Sequence, residues 1–178
     1  MTSIVRPSDR PPGRRGFEIV LSSDLTGGTA ALVEAHVPAA MSGPPLHTHP
    51  NSEETYFVIS GALIMQVDDE VTEIGPGGLA YITRGSRHTW ATPATVETHF
   101  VTLHTPGGYE KYHPTALQYE HDKGGPLTQA DLFELAKGFD WKLAGDAPLR
   151  LTPFGELVPA GRADAEAERA AAEALAVR

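Results

Sequence analysis

Short apolar segments and turn residues alternate between residues 17 and 104. Each segment is rich in Val, Ile, Thr and aromatic residues, and Gly, Pro or Asp separates it from the next. The pattern predicts strands at residues 17–21, 29–37, 54–60, 62–67, 71–74, 79–82, 87–91 and 96–104. Asp68 and Asp69 predict a tight hairpin turn between two of them. Many short strands at this spacing predict an all-β sandwich or barrel.

The pattern changes after residue 108. Residues 109–118 predict a short helix that Pro114 interrupts. A second helix is predicted to begin at Thr128 as N-cap, with Asp131 in its first turn and Gly138 as its stop. Residues 163–178 are rich in Ala and Glu, which predicts a polar helix that is either exposed or ordered only against a partner chain.

These changes divide the chain into four predicted parts. Residues 1–16, rich in Arg, Pro and Gly, predict a flexible N-terminal arm. Residues 17–108 are the predicted barrel, and residues 109–160 a helical and loop extension that packs on it. Residues 161–178 are the predicted Ala/Glu-rich C-terminal helix or tail.

Composition narrows the classes of partner. The chain has 178 residues, enough for one domain with a core, and a formal net charge of −9, which argues against nucleic acid. It has no cysteine, so disulfides and thiolate metal sites are excluded. No apolar segment is long enough to span a bilayer or to form the core of a signal peptide, so we expect a cytoplasmic protein with no membrane partner.

Two histidines one residue apart are the most informative chemical feature. Side chains at positions i and i+2 of an extended strand share one face, so His47 and His49 can reach one ion together. Glu53 and Glu54 follow, and because neighbours on a strand face opposite ways, only one of them can share that face. His88, in a second patterned segment, could complete the set. Imidazoles with one carboxylate suit a divalent transition metal and leave positions open for chemistry.

The first of these segments resembles the first sequence motif of the cupin superfamily. It reads Gly43-Pro-Pro-Leu-His-Thr-His-Pro-Asn-Ser-Glu-Glu, and six residues separate Glu54 from Gly61. Gly43 lies closer to His47 than the family usually has it. The family spacing selects Glu54 rather than Glu53 as the acidic position.

The second segment is similar to the second cupin motif. Gly77, Gly85 and His88 match the family pattern, whereas Thr83 replaces its Pro and Thr92 its Asn. Neither replaced position is a usual metal ligand of the family. The resemblance covers residues 17–108.

This resemblance implies the fold and the cofactor. The fold would be a double-stranded β-helix, the cupin jelly-roll barrel, with short C-terminal helices. The metal ligands would be His47, His49, Glu54 and His88, and the ion one of Fe, Mn, Ni, Co, Cu or Zn. Glu54 would also be the catalytic base. Single-domain cupins commonly dimerise, so a homodimer is expected.

Strand parity also indicates side chains for a substrate pocket. Trp90 shares the parity of His88, while Tyr56 and Val58 share that of Glu54. Met65 and Phe100 are further candidates. Ordinary barrel core is the alternative for these residues.

The remaining histidines have weaker assignments. His36, His99 and His104 are expected as structural or surface residues, with His99 or His104 as an alternative lining of the cavity. His113 and His121 are expected in solvent.

A narrower resemblance concerns the segment after the barrel. Residues 104–112, His-Thr-Pro-Gly-Gly-Tyr-Glu-Lys-Tyr, and residues 127–138 are similar to the corresponding region of quercetin dioxygenase-like cupins. That resemblance implies a dioxygenase acting on a small aromatic or enolisable, flavonol-like compound, with dioxygen as second substrate. Two alternatives stay open: a non-redox polyketide cyclase or isomerase with a zinc-type Lewis acid, and a small-ligand-binding cupin without catalysis.

Overall fold

The computed structural model describes residues 3–11, 14–144, 150–151 and 157–158. The strands of the barrel are β1 Phe17–Leu21, β2 Ala31–Val37, β3 His47–Thr48, β4 Glu53–Ser60, β5 Leu63–Val67, β6 Glu70–Ile74, β7 Leu79–Ile82, β8 His88–Ala91 and β9 Thr98–Thr105. Two helices follow, α1 Tyr112–Lys123 and α2 Gln129–Ala136, and then the two-residue strands β10 Lys142–Leu143, β11 Arg150–Leu151 and β12 Leu157–Val158.

Two five-stranded antiparallel sheets form the barrel. One has the order β1-β2-β9-β4-β7 and the other β10-β3-β8-β5-β6, while β11 and β12 pair separately. Alternate residues of β2 and β9 point inward, which is the period expected of a strand with one buried face. The buried core includes Val58, Leu63, Met65 and Phe100. The all-β prediction and the cupin double-stranded β-helix are confirmed by this architecture.

The predicted strands correspond to observed ones. Each of the eight predicted segments overlaps one of the strands β1, β2 and β4–β9, and the ends differ by at most two residues. Asp68 and Asp69 form the turn between β5 and β6, with Asp68 at φ 51°. The two-residue strand β3 is too short for a hydrophobic pattern to reveal it.

The helices correct one prediction and confirm another. Pro114 does not interrupt α1, because it lies in the first turn, where its missing N–H has no partner to lose. The N-cap predicted at Thr128 is confirmed: its hydroxyl accepts from the Asp131 N–H, and the Asp131 carboxylate accepts from the Thr128 N–H.

The described part of the N-terminal arm is tied to the barrel and to α1. Arg10 forms ion pairs with Glu18 and Glu34, at 3.1 Å and 2.8 Å. Arg14 and Arg15 both pair with Glu120 of α1. The division of the chain into four parts stays a prediction, and residues 161–178 lie outside the described residues.

Neither helix in the described ranges has the length and apolar character needed to cross a membrane.

Candidate metal centre

The four residues predicted as ligands come together inside the barrel. His47 lies on β3, His49 just after it, Glu54 on β4 and His88 on β8. All four are buried, and one ligand atom from each lies within 4.8 Å of the others. Register explains part of this, because His47 and His88 are direct partners across β3 and β8. Two sheets therefore contribute to one cluster.

Backbone carbonyl groups fix the three imidazole rings. The Nδ1 of His47 is 2.8 Å from Pro45 O, and that of His88 is 3.1 Å from Ser86 O. The Nδ1 of His49 is hydrogen-bonded to Asp140 O. A carbonyl oxygen can only accept, so each Nδ1–H donates, and the Nε2 of each ring is left for another partner.

This arrangement fits a bound metal ion. The Nε2 of His49 is buried and has no hydrogen-bond partner among the described residues. Histidine ligands in metal sites commonly donate their second ring nitrogen to a carbonyl, as all three do here. The donor set is nitrogen and oxygen, which suits the borderline divalent metals rather than any one of them.

The carboxylate of Glu54 has two differently used oxygens. Its Oε2 lies 2.9 Å from His88 Nε2 and 3.3 Å from His49 Nε2. Its Oε1 accepts from the Thr102 hydroxyl at 2.8 Å and lies 3.0 Å from His104 Nε2. Oε2 is thus the oxygen presented to the histidine cluster, while Oε1 is anchored.

The ionisation of the cluster follows from burial and mutual contacts. Burial, with the nearby His88 and His49, lowers the pKa of His47 well below its usual value. Burial alone would raise the pKa of Glu54, but the neighbouring histidines, His104 first, hold it well below its usual range. Burial opposes a charged His49, yet the Glu54 carboxylate, 3.3 Å from its Nε2, leaves the pKa of His49 raised. A metal ion would compete with that proton for Nε2.

A cavity of about 330 Å³ opens beside the cluster. His47 and Glu54 line it, together with Tyr56, Trp90 and Phe100 of the predicted pocket. Val58 and Met65 instead belong to the buried core. Aromatic rings dominate the wall, and Trp90 and Phe100 meet edge to face at 5.3 Å between centroids.

Several cavity residues could not be assigned from the sequence. Tyr109, Tyr112, Phe133 and Trp141 come from the segments after the barrel, and only the packing of α1 and α2 brings them to the site. The ring of Trp141 stacks on His47 at 5.6 Å.

Two histidines of the wall had other sequence assignments. His104 lines the cavity, whereas His99 of the same strand lies on the outer face. The parity of β9 carried that signal, because His104 shares the face of Phe100 and Thr102. The expectation of a solvated His113 is wrong: its ring stacks on Phe17 at 5.0 Å and lines the cavity, while His121 is exposed.

The outer face of the barrel carries a second, smaller group. Glu34, His36 and His99 also have ligand atoms within 4.8 Å of one another. His99 Nε2 lies 2.8 Å from Glu34 Oε1. Glu53 likewise faces outward, and its Oε1 lies 2.7 Å from Arg84 Nε. The two adjacent glutamates of β4 therefore point to opposite sides.

The fold and the site define a small double-stranded β-helix protein with a buried His/Glu cluster. Residues 32–104 match the family model described as "Cupin domain". The matched segment includes all four cluster residues. The match shows that residues 32–104 resemble a cupin domain.

Among solved structures, the match to KdgF supports the fold, and two weaker matches are given beside it. KdgF from Halomonas sp. matches with a TM-score of 0.52 and 16% identity, over 62% of this chain and 99% of that one. A conserved protein with a double-stranded β-helix domain from Klebsiella pneumoniae matches at 0.47 and 25%, over 58% and 80%. Pac13 from Streptomyces, described as a nucleoside dehydratase, matches at 0.47 and 16%, over 62% and 88%. No curated protein matches the sequence.

Proposed function

We propose that this protein is a metal-dependent enzyme acting on a small aromatic or enolisable compound. One observation carries the proposal: three histidines and one glutamate converge, buried, beside an aromatic cavity of about 330 Å³. Titratable donors that meet in an apolar pocket are the usual composition of an active site. The volume suits one small molecule.

The four residues would hold one divalent ion, Fe, Mn, Ni, Co, Cu or Zn. His47, His49 and His88 would bind it through Nε2, and Glu54 through Oε2. When bound, the ion supplies a Lewis acid that polarises a substrate oxygen and, for a redox-active metal, a site for dioxygen.

The side chains around the cluster include a base and two hydrogen-bond donors. The low pKa of Glu54 keeps it ionised, which is the state a base needs, and His104, 3.0 Å from its Oε1, can carry a proton away. Burial and the charge of Glu54 raise the pKa of Tyr56 well above its usual value. Burial also raises that of Tyr109. Both phenols therefore stay protonated and can donate to a substrate oxygen.

A dioxygenase reaction is our first choice. The apolar wall suits an aromatic substrate, and the post-barrel segment that resembles quercetin dioxygenase-like cupins supplies Tyr109 and Tyr112 to that wall. Four protein ligands leave room on a six-coordinate ion for two further ligands. Dioxygen use, a homodimer and a cytoplasmic location stay predictions.

A non-redox cyclase or isomerase is the second candidate. The specific observation in its favour is the set of proton-transfer groups in the cavity: Glu54, His104, Tyr56 and Tyr109. A cyclisation or isomerisation needs such groups and a zinc-type Lewis acid, with no oxidant.

Oxygen consumption separates the two. The protein is loaded with Fe²⁺, Mn²⁺, Co²⁺, Ni²⁺, Cu²⁺ or Zn²⁺ in turn and offered flavonols and smaller phenols, with an oxygen electrode and mass analysis of products. We expect substrate-dependent oxygen uptake with a redox-active metal, lost in His88→Ala and kept in the outer-face control His99→Ala. Conversion with Zn²⁺ and no oxygen uptake would favour the second candidate. Ligand binding without conversion would contradict both and leave a binding protein.

A further inference from the structure

Arg14 is a buried cation in the wall of the cavity, and its Nη2 atom has no hydrogen-bond partner among the described residues. Its side chain is only 10% exposed, and it lines the same cavity as His47 and Glu54. We propose that Arg14 binds an anionic group of the substrate, a carboxylate or a phosphate. The inference rests on the proposed function in treating the ligand as a substrate. The anion site itself does not depend on the metal.

The backbone fixes the position of Arg14. Its N–H donates to Phe17 O at 2.9 Å, and the Phe17 N–H donates to Arg14 O at 3.0 Å. The two residues between them have positive φ, 50° at Arg15 and 86° at Gly16. A Cβ on Gly16 would lie 2.1 Å from the carbonyl oxygen of His36, so this tight turn needs glycine there.

The residue that closes the turn is itself part of the cavity. The Phe17 ring lies 6.3 Å from Trp90 and 6.4 Å from Phe100 between centroids, and all three line the cavity. The turn therefore delivers Arg14 to the wall together with an aromatic neighbour. The turn fixes the main chain of Arg14, and the bond from Nε to Glu120 orients its guanidinium group.

Within the part of the chain that the structure describes, Arg14 uses its Nε to hydrogen-bond a side chain and leaves Nη2 without a partner. The Nε of Arg14 donates to Glu120 Oε2 at 3.3 Å. The Nη2 atom is buried and has no hydrogen-bond partner among the described residues. A buried donor without a partner is unfavourable, and a ligand oxygen would supply the missing acceptor.

The acidic groups near Arg14 have other hydrogen-bond partners. Glu120 is shared, because its Oε1 also accepts from Arg15 at 2.9 Å. The buried Glu110 accepts from the Ser23 N–H and hydroxyl and from the Gly108 N–H. Glu54 is committed to Thr102 and the histidines. The buried carboxylates in the described part of the chain are thus already occupied.

The ligand class follows from the shape of the group. A planar guanidinium matches the two oxygens of a carboxylate or phosphate, and charge-assisted hydrogen bonds of this kind are stronger than neutral ones. The aromatic wall and the anion site together define an aromatic or enolisable acid or phosphate ester.

Binding of simple probes tests the inference. The probes are benzoate and phenyl phosphate, with benzamide and benzyl alcohol as neutral counterparts, and the signal is the fluorescence of Trp90 and Trp141 in the cavity wall. We expect the anions to bind about tenfold more tightly than the neutral probes. Arg14→Gln should remove that preference, and Arg14→Lys should restore part of it. Arg6→Gln, an exposed position outside the cavity, changes net charge equally and should keep the preference.

The metal-free protein separates this inference from the proposed function. Titrations are repeated after chelator treatment and dialysis, and in His88→Ala. A preference kept without metal and lost in Arg14→Gln supports the anion site, whatever the fate of the enzyme proposal. A preference that persists in Arg14→Gln but disappears without metal would show that the anion binds the ion instead, and would overturn it. Equal affinities, or no binding of either anion, would overturn it too.

Discussion

The Oε2 atom of Glu54 lies 2.9 Å from the Nε2 atom of His88, although the two residues belong to different sheets. This contact joins the glutamate of the cluster to one of its histidines, and it also joins the two sheets of the barrel. Removing water from these polar groups is unfavourable unless each finds a partner, and an ion among them would provide one. The metal centre and the stability of the fold should thus be coupled.

Metal removal should lower the melting temperature. An ion that binds only the folded chain stabilises it by about 2.7 kcal/mol at 100 times its dissociation constant. For a chain of this length that corresponds to roughly 5–10 °C. Thermal unfolding before and after chelation, followed by addition of Zn²⁺, measures the effect. The same shift is expected in His36→Ala, which removes one of the three possible ligands on the outer face. A shift confined to the wild type would assign the effect to the outer-face group.

His104→Ala should weaken metal binding without removing a proposed ligand. Loss of its contact with Glu54 Oε1 leaves Thr102 as the described partner of that oxygen, so the affinity for metal should fall about 10–100-fold. His104→Gln retains a donor and should recover part of the loss. The matched control is His99→Ala on the outer face of the same strand. Equal affinities in the two alanine variants would contradict a role for His104.

Asp140→Ala should weaken metal binding through the main chain. The Asp140 carboxylate accepts from the Asn51 side chain at 2.9 Å and from the Ser52 hydroxyl at 2.7 Å. These bonds hold in place the carbonyl group to which His49 Nδ1 donates. We expect about a tenfold loss of affinity, measured by competition with a chromophoric chelator. Asp122→Ala, at an exposed position on α1, is the control. Equal affinities for metal in the two variants would contradict a role for Asp140 in holding His49.

Asp131 should make α2 sensitive to acid. Its hydrogen bonds with Lys123 and Thr128 lower the pKa of the carboxyl from 3.8 to about 2. A carboxyl with a lowered pKa in the folded state contributes stability above its unfolded value, and that contribution disappears as the pH falls from about 4 towards 2. The difference in melting temperature between the wild type and Asp131→Asn should therefore be largest above pH 4 and shrink towards pH 2. A constant difference would contradict this assignment.

The barrel was predictable because alternation and turn residues encode it locally. The alternation along β9 that turns Phe100 and Thr102 towards the barrel interior also turns His104 there. The position of His104 could therefore have been predicted from the sequence. The roles of the Pro45, Ser86 and Asp140 carbonyl groups could not be predicted, because a pattern of side chains does not show which main-chain atoms accept hydrogen bonds.

The wall of the cavity was harder to predict than the cluster. Trp141 and Phe133 reach it only through the packing of the segments after the barrel, which depends on tertiary contacts rather than on local period. Arg14 lies in a stretch whose composition suggests a flexible arm, yet one tight turn brings it to the site.

Metal content tests the central claim, that His47, His49, Glu54 and His88 bind one ion. The measurement uses His36→Ala protein, so that ions held by Glu34, His36 and His99 do not contribute, and elemental analysis after gel filtration. We predict about one divalent ion per chain in this background and in its His121→Ala derivative, and almost none in its His88→Ala derivative, with folding checked by circular dichroism. A folded His36→Ala/His88→Ala protein that retained a full equivalent of metal would contradict the account.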